Sequence, residues 1–279
     1  MIMPIYQDEY TTVYCDENQN VTPHIGTVDH VFTDPPYGTS THDGALMLRT
    51  LGTTGESGWE RASNPTTKRR RDVDRKLTAF DSISYADLQS IIAGLAPQVQ
   101  RWFVSFMERR YIEPLEQWCE VGEVDEQGIL RPGPFNFIRE GIYYKPNGMP
   151  QVSGDRPAQG WESIAIMHRK ANGRLRWNGG GHDAVYIENK PSTPRHPTQK
   201  PLALAMKMIG QFTDPGDTIL DPFAGSGVFG VACKKLRRHC ILIERDPSYA
   251  AGIVRWLKET QPMMADLIMP PLARTEAML

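Results

Sequence analysis

The chain has 279 residues, with 40% hydrophobic and 23% charged side chains, so a single α/β domain with an ordinary core needs no disulfide or metal staples. Its formal net charge of −2 excludes a polycation that coats nucleic acid by bulk charge, and any such contact has to come from a local basic patch. No signal-peptide pattern opens the chain, no run approaches the roughly 18 apolar residues of a membrane span, and Cys15, Cys119, Cys233 and Cys240 show no CxxC spacing. These features point to free thiols in a cytoplasmic protein, with no zinc knuckle or other metal site.

In chain order, short apolar runs predict strands over 12–14, 29–33, 102–106, 141–144, 163–168, 218–220 and 240–244. Helical spacing predicts helices over 85–100, 113–120, 201–212, 228–235 and 249–259. That alternation reads as a mainly parallel, helix-covered sheet. The strand containing Val28, His30, Val31 and Phe32 runs directly into Asp34-Pro35-Pro36-Tyr37. Ligands of open α/β sheets bind beyond the carboxyl ends of the strands. Two consecutive prolines stiffen this turn and remove two backbone donors. What remains is a carboxylate, backbone carbonyls and an aromatic ring, a combination suited to gripping a planar ring that carries an amino group.

Three irregular stretches interrupt the pattern. The longest, 38–77, is rich in Gly, Thr and Ser and carries the basic run Lys68, Arg69, Arg70 and Arg71. A loop this long inside a compact domain is usually functional or disordered. The others are 121–136 and the polar, Gly-rich 169–197. All three read as insertions on one scaffold spanning 1–279.

Near the end of the chain, a strand leads into Asp221-Pro222-Phe223-Ala224-Gly225-Ser226-Gly227-Val228-Phe229-Gly230, and a helix follows. Glycines let the backbone approach a ligand and supply positive φ. Gly225, Gly227 and Gly230, with Glu244 ending the next strand, also spell the dinucleotide fingerprint GxGxxG. That keeps a nicotinamide oxidoreductase open as an alternative. Against it stands Asp221, an anion that would repel a pyrophosphate but suits a ligand carrying an ammonium or sulfonium. S-adenosylmethionine has both, and a ribose for Glu244. A third element, His196-Pro197-Thr198-Gln199-Lys200-Pro201, leads into a predicted helix. Read plainly, Thr198 caps that helix; read functionally, a helix start with a lysine seats a carboxylate.

Together, DPPY at 34–37, HPTQKP at 196–201 and DPFAGSG at 221–227 resemble the β-class DNA amino-methyltransferases, which methylate adenine N6 or cytosine N4. The resemblance implies a seven-stranded, mainly parallel Rossmann-like α/β sheet with helices on both faces, and a circularly permuted order with the catalytic half first. It implies S-adenosylmethionine held by Asp221, Phe223, Gly225 and Gly227, with Glu244 on the ribose and Thr198 and Lys200 facing the methionine end. Asp16 matches an acid near the cofactor adenine, although Cys15 replaces the usual glycine. Val228-Phe229 stands where the family commonly has two threonines, so Phe229 is expected to alter the pocket.

Asp34, Pro35, Pro36 and Tyr37 would form the catalytic turn. The amino nitrogen of a base is a poor nucleophile, and hydrogen bonds to Asp34 and the Pro35 carbonyl would favour a pyramidal nitrogen whose lone pair faces the methyl donor. The base has to be flipped out of the duplex, and stacking on Tyr37 would recover roughly 1–3 kcal/mol. Lys68–Arg71 are expected to touch DNA phosphates. Trp161, Arg174, Arg176 and Trp177 fall where the family often reads its target sequence. An Asp at the head of DPPY favours adenine over cytosine. The implied partners are double-stranded DNA and, in a restriction–modification pair, a cognate restriction endonuclease. A non-catalytic DNA-binding relative is the remaining rival, and intact Asp34 and Tyr37 argue against it. RNA as substrate stays open at this point, as does the oligomeric state.

Overall fold

The computed structural model describes residues 2–36, 83–124, 127–148, 155–171 and 175–264. By backbone contacts the chain divides into two units, Met1–Pro35 with Gln89–Leu279, and Pro36–Leu88. Among the described residues, the first unit holds a nine-stranded sheet built from β1 (Tyr6–Gln7), β2 (Thr11–Tyr14), β3 (His30–Thr33), β4 (Trp102–Met107), β7 (Phe135–Tyr144), β8 (Trp161–Arg169), β9 (Val185–Ile187), β10 (Thr218–Asp221) and β11 (His239–Ile243). Between β4 and β7, β5 (Glu123–Val124) and β6 (Leu130–Arg131) form a separate antiparallel pair. The described helices are α1 (Asn18–Val21), α2 (Tyr85–Leu95), α3 (Ile112–Glu120), α4 (Leu202–Phe212), α5 (Val228–Lys235) and α6 (Pro247–Glu259). None is long and apolar enough to cross a membrane.

The strand order is β1-β2-β11-β10-β3-β4-β8-β7-β9. Strands β2, β11, β10, β3 and β4 are mutually parallel, and β8 runs antiparallel to both β4 and β7. Every residue of β3 and β4 is buried, as expected of parallel strands covered on both faces. This arrangement brings the carboxyl ends of the parallel strands to one edge, together with the amino end of β8.

All seven expected strands form, and the sheet departs from the expected count through β1 and β9. With two and three residues, neither is long enough to display a period in the sequence. Strand β7 begins at Phe135 instead of 141 because a bulge between Phe137 and Arg139 resets its alternation. The stretch 121–136 is therefore not irregular throughout; it contains the β5–β6 hairpin and the start of β7. Helix α2 stops at Leu95, short of the expected 100, because Pro97 disfavours helical geometry in the residue before it.

Beneath the carboxyl edge lies an aromatic core. The Phe32 ring lies 5.7 Å from Phe212 and 6.0 Å from Phe229, and Phe229 lies 6.3 Å from Phe106. Such pairs contribute about 0.5–1.5 kcal/mol each beyond their burial. Phe229 is only 2% exposed. It packs into this core from the first turn of α5.

Candidate active site

Four neighbouring strands end in, or next to, an acid: Asp16 after β2, Glu244 after β11, Asp221 at the end of β10 and Asp34 after β3. Adjacent strands lie about 4.8 Å apart, and the pairing of Leu220 with Val31 sets Asp221 level with Phe32, so Asp34 stands two residues beyond it at the same edge. Thr33 strengthens the link, since its hydroxyl donates to Asp221 Oδ1 at 2.9 Å. The Phe223 N–H donates to the same oxygen at 3.1 Å. No cation pairs with Asp221 among the described residues. Burial, with the Asp34 and Glu244 carboxylates adding to it, pushes this carboxyl up to about 7 against the pull of those two donors.

Glu244 organises the glycine loop. Its Oε2 accepts from Gly225 N and its Oε1 from Asp246 N, both at 2.8 Å, while burial raises its pKa. Gly225 and Gly227 adopt φ of +50° and +77°, where side chains are strained. A Cβ on Gly227 would also stand 2.8 Å from Ile253, and one on Gly230 would stand 2.4 Å from Leu242. Gly230 therefore serves the packing of α5 on β11. Gly225 and Gly227 shape the loop itself.

The HPTQKP segment folds differently from a capped helix start. Helix α4 has Pro201 at its N-cap position and no side-chain cap. The Thr198 N–H donates to His196 Nδ1 at 3.3 Å, with Thr198 Oγ1 3.1 Å from the same nitrogen. The His196 ring is buried edge-on against Tyr249 at 4.4 Å, and an added Cβ on Gly225 would meet it at 3.7 Å. This histidine thus packs on the glycine loop, a role the sequence did not signal.

Lys200 is 4% exposed and its ammonium is already engaged. It pairs with Asp34 Oδ2, lies 3.1 Å from Glu162 Oε2 and sits 4.6 Å from the centre of the Phe106 ring. Burial would lower the pKa of this lysine, but the carboxylates of Asp34 and Glu162 outweigh it and leave it raised. Lys200, expected to face the methionine end, is here paired with the carboxylates of Asp34 and Glu162. Glu162 is the second residue of β8, and its Oε1 accepts from Lys145 at 2.8 Å. Burial would raise this carboxyl, yet Lys200 and Lys145 bring it down to about 2. Neither Glu162 nor Lys145 was found from sequence; the one available signal was an acid at the mouth of a buried apolar strand.

Asp16 is half-buried, and its Oδ1 accepts from Glu17 N at 2.7 Å and Asn20 Nδ2 at 2.8 Å. Pro35 follows Asp34, and Pro36 opens the second unit. Tyr37, Lys68, Arg69, Arg70, Arg71 and Arg174 lie outside the described residues. The segment 169–197 divides between the two edges. Arg176 pairs with Asp214 and Trp177 packs on Phe212 at 4.7 Å, both near the amino end of β4, where the Trp102 indole donates to Arg176 O. They lie at the edge opposite Asp34. Trp161 and Ile187 both pair with Tyr144 at the carboxyl edge. Among the described residues no cluster of His, Cys, Asp or Glu is able to hold a metal ion.

The chain belongs to the DNA methylase family N6_N4_Mtase, whose model matches residues 28–255. It is 33% identical over 125 residues to the type II methyltransferase M.XycI of Xanthomonas campestris pv. cyanopsidis, a match covering 40% of this chain and 42% of that protein. A second type II methyltransferase, M.Cfr9I of Citrobacter freundii, is 32% identical over the same shares. The chain thus spans about two fifths of the length of the curated relatives it matches. Among solved structures, an M1.HpyAVI–SAM complex aligns with a TM-score of 0.59 and 23% identity over 88% of this chain and 99% of that one. The PvuII DNA methyltransferase (cytosine-N4-specific) aligns with a TM-score of 0.63 and 14% identity over 91% and 89%. At these identities the two structures show a shared mixed α/β fold.

Proposed function

We propose that the protein transfers a methyl group from S-adenosylmethionine to the exocyclic amino nitrogen of a base flipped out of double-stranded DNA, adenine N6 in preference to cytosine N4. In this reading the order of motifs is the permuted one, catalytic half first. The observation that carries it is that Asp34 and Asp221 stand at the carboxyl ends of the neighbouring parallel strands β3 and β10, with Thr33, the residue before Asp34, bonded to Asp221. An acceptor for an amino group thereby stands beside a loop built for a positively charged ligand.

The residues present fit the cofactor. Asp221 and the loop Phe223, Gly225 and Gly227 offer a carboxyl and an open backbone to an ammonium or sulfonium. Glu244 accepts one backbone donor per oxygen and keeps lone pairs for ribose hydroxyls. Thr198 is exposed beside the loop for the methionine end, and Asp16 stands at the same edge for the adenine. When bound, S-adenosylmethionine supplies an electrophilic methyl group whose carbon–sulfur bond breaks with the electron pair going to sulfur. The rest of the task falls to the chain. Asp34 and the Pro35 carbonyl accept the two hydrogens of the amino group and orient its lone pair. Asp34 also stabilises the positive charge that develops on nitrogen, and its carboxylate or water then takes the proton. Holding the reactants in line supplies much of the remaining acceleration. From the sequence alone, Tyr37 stacks on the flipped base, Lys68–Arg71 contact phosphates, and a cognate restriction endonuclease is the matching partner.

The test is incubation with S-adenosylmethionine and mixed-sequence duplex DNA, followed by nucleoside mass spectrometry. N6-methyladenine is the expected product. N4-methylcytosine would move the proposal to the other base, and no methylated nucleoside, or binding of NAD in place of S-adenosylmethionine, would overturn it.

A further inference from the structure

Glu162 belongs to no motif and has no part in the mechanism above, yet it completes a row of alternating charges. Lys145 donates to Glu162 Oε1, Glu162 Oε2 faces Lys200 at 3.1 Å, and Lys200 pairs with Asp34. The four side chains come from the end of β7, the start of β8, the segment before α4 and the turn after β3. The antiparallel course of β8 brings its first residues to the carboxyl edge, with Ser163 opposite Met107. Lys200 is sealed from beneath by the Phe106 ring.

This arrangement answers an electrostatic difficulty. An Asp34 carboxylate paired with Lys200 alone is a neutral couple, and a neutral couple is poorly suited to stabilising positive charge on an amino nitrogen. A second carboxylate sharing the ammonium divides its positive field, so Asp34 keeps more of its negative character than in an isolated pair while the lysine keeps it oriented; Lys145 holds Glu162 in place and offsets part of its charge. We propose that Glu162 is a positioning residue of the methyl-transfer site: it holds Lys200 as a cation against Asp34 and takes over that cation's pairing as the base's amino group reaches Asp34. The proposal rests on the methyl-transfer reading and extends it to a residue that touches neither base nor cofactor.

The test is Glu162→Gln, which keeps shape and removes charge, assayed beside the wild type on duplex DNA. It should lower kcat roughly tenfold or more, while KM for DNA and Kd for S-adenosylmethionine stay within about twofold. Lys200 loses one of its two counter-anions, so the alkaline limb of kcat against pH should move to lower pH. A merely structural role would not move that limb. Glu162→Asp, which keeps the charge, should retain the wild-type limb. Should Glu162→Gln fail to fold, Lys200→Met carries the test. With the cation gone, two carboxylates face each other, and the acidic limb of kcat should move to higher pH with cofactor Kd unchanged.

Wild-type kcat and an unmoved limb in Glu162→Gln would overturn the proposal. So would a Lys200→Met variant whose kcat is intact and whose cofactor Kd rises about tenfold, since that result assigns the lysine to the cofactor. Absence of transfer by the wild type would overturn the functional reading along with this inference. Transfer by the wild type with an unaltered Glu162→Gln would overturn this inference alone.

Discussion

Strand β10 carries an aspartate at each end, and the two behave oppositely. Just before its amino end, Asp217 lies 2.5 Å from Arg101 and 3.1 Å from His30 Nε2, and it accepts from the Asp214 N–H at 2.7 Å. Burial would raise this carboxyl, but those partners bring it down to about 2. At the other end, Asp221 has a hydroxyl and a backbone N–H for company, and it is pushed up to about 7. One edge of the sheet matches its acids with arginines: Arg101 also reaches Asp29, and Arg176 pairs with Asp214. The opposite edge leaves two buried acids, Asp221 and Glu244, on dipolar donors. The first arrangement stabilises the fold. The second is costly for the fold and suits a cationic ligand, a division of labour common at sites whose pKa values are perturbed.

The comparison is broken most sharply at Asp34. Asp34→Ala should abolish methyl transfer, a loss of roughly 10³-fold or more, while S-adenosylmethionine binding measured by calorimetry survives. Turnover like that of the wild type would refute the role given to this carboxylate.

Asp221→Asn comes next. Asp221 has a folded pKa of about 7 against 3.8 in the unfolded chain. Between those values the unfolded state is ionised while the folded state stays protonated, so stability falls as pH rises across that window. The cost is at most about 4 kcal/mol above pH 7. The variant should therefore melt higher than the wild type at pH 8, and the gap should close near pH 4. Its affinity for S-adenosylmethionine should fall. An Asn variant that melts lower than the wild type at pH 8 would contradict the contrast between the two ends of β10.

Asp217→Asn should act in the opposite sense. The depressed pKa of Asp217 contributes about 2 kcal/mol that is present above pH 4 and lost as pH falls through about 2. The variant should lose that amount at pH 7 by urea unfolding, yet keep its kcat once folded. A kcat loss with unchanged stability would move the catalytic machinery to the wrong edge. An effect of similar size is expected of Gly227→Ala, where positive φ and the Ile253 contact should cost about 1–3 kcal/mol and weaken cofactor binding, both readable by thermal melts with and without ligand.

Much of this molecule was legible before folding. Seven strands announced themselves as apolar runs, and the three motifs fell at strand ends or beside the glycine loop. What escaped the sequence did so for identifiable reasons. Strands β1 and β9 are shorter than a detectable period, and the bulge in β7 hides a ten-residue strand behind a broken alternation. Arg176 and Trp177 look like surface readers in a polar stretch, yet they close the amino edge through Asp214 and Phe212. Glu162 sits 128 positions from Asp34 along the chain, where no local pattern could pair them.

The sequence by itself determined which chemical groups stand at the ends of β3, β10 and β11, because a strand followed by a proline or glycine turn is a local matter of backbone geometry. Tertiary structure alone decided what those groups are electrically. A carboxyl on β10 becomes a depressed acid or a raised one according to the neighbours that other segments bring within about 4 Å, where Coulomb and desolvation energies are large. Lys200 illustrates both halves. Its motif was plain in the chain, but its partners, Asp34 and Glu162, were set by the packing of β3 and β8 around it.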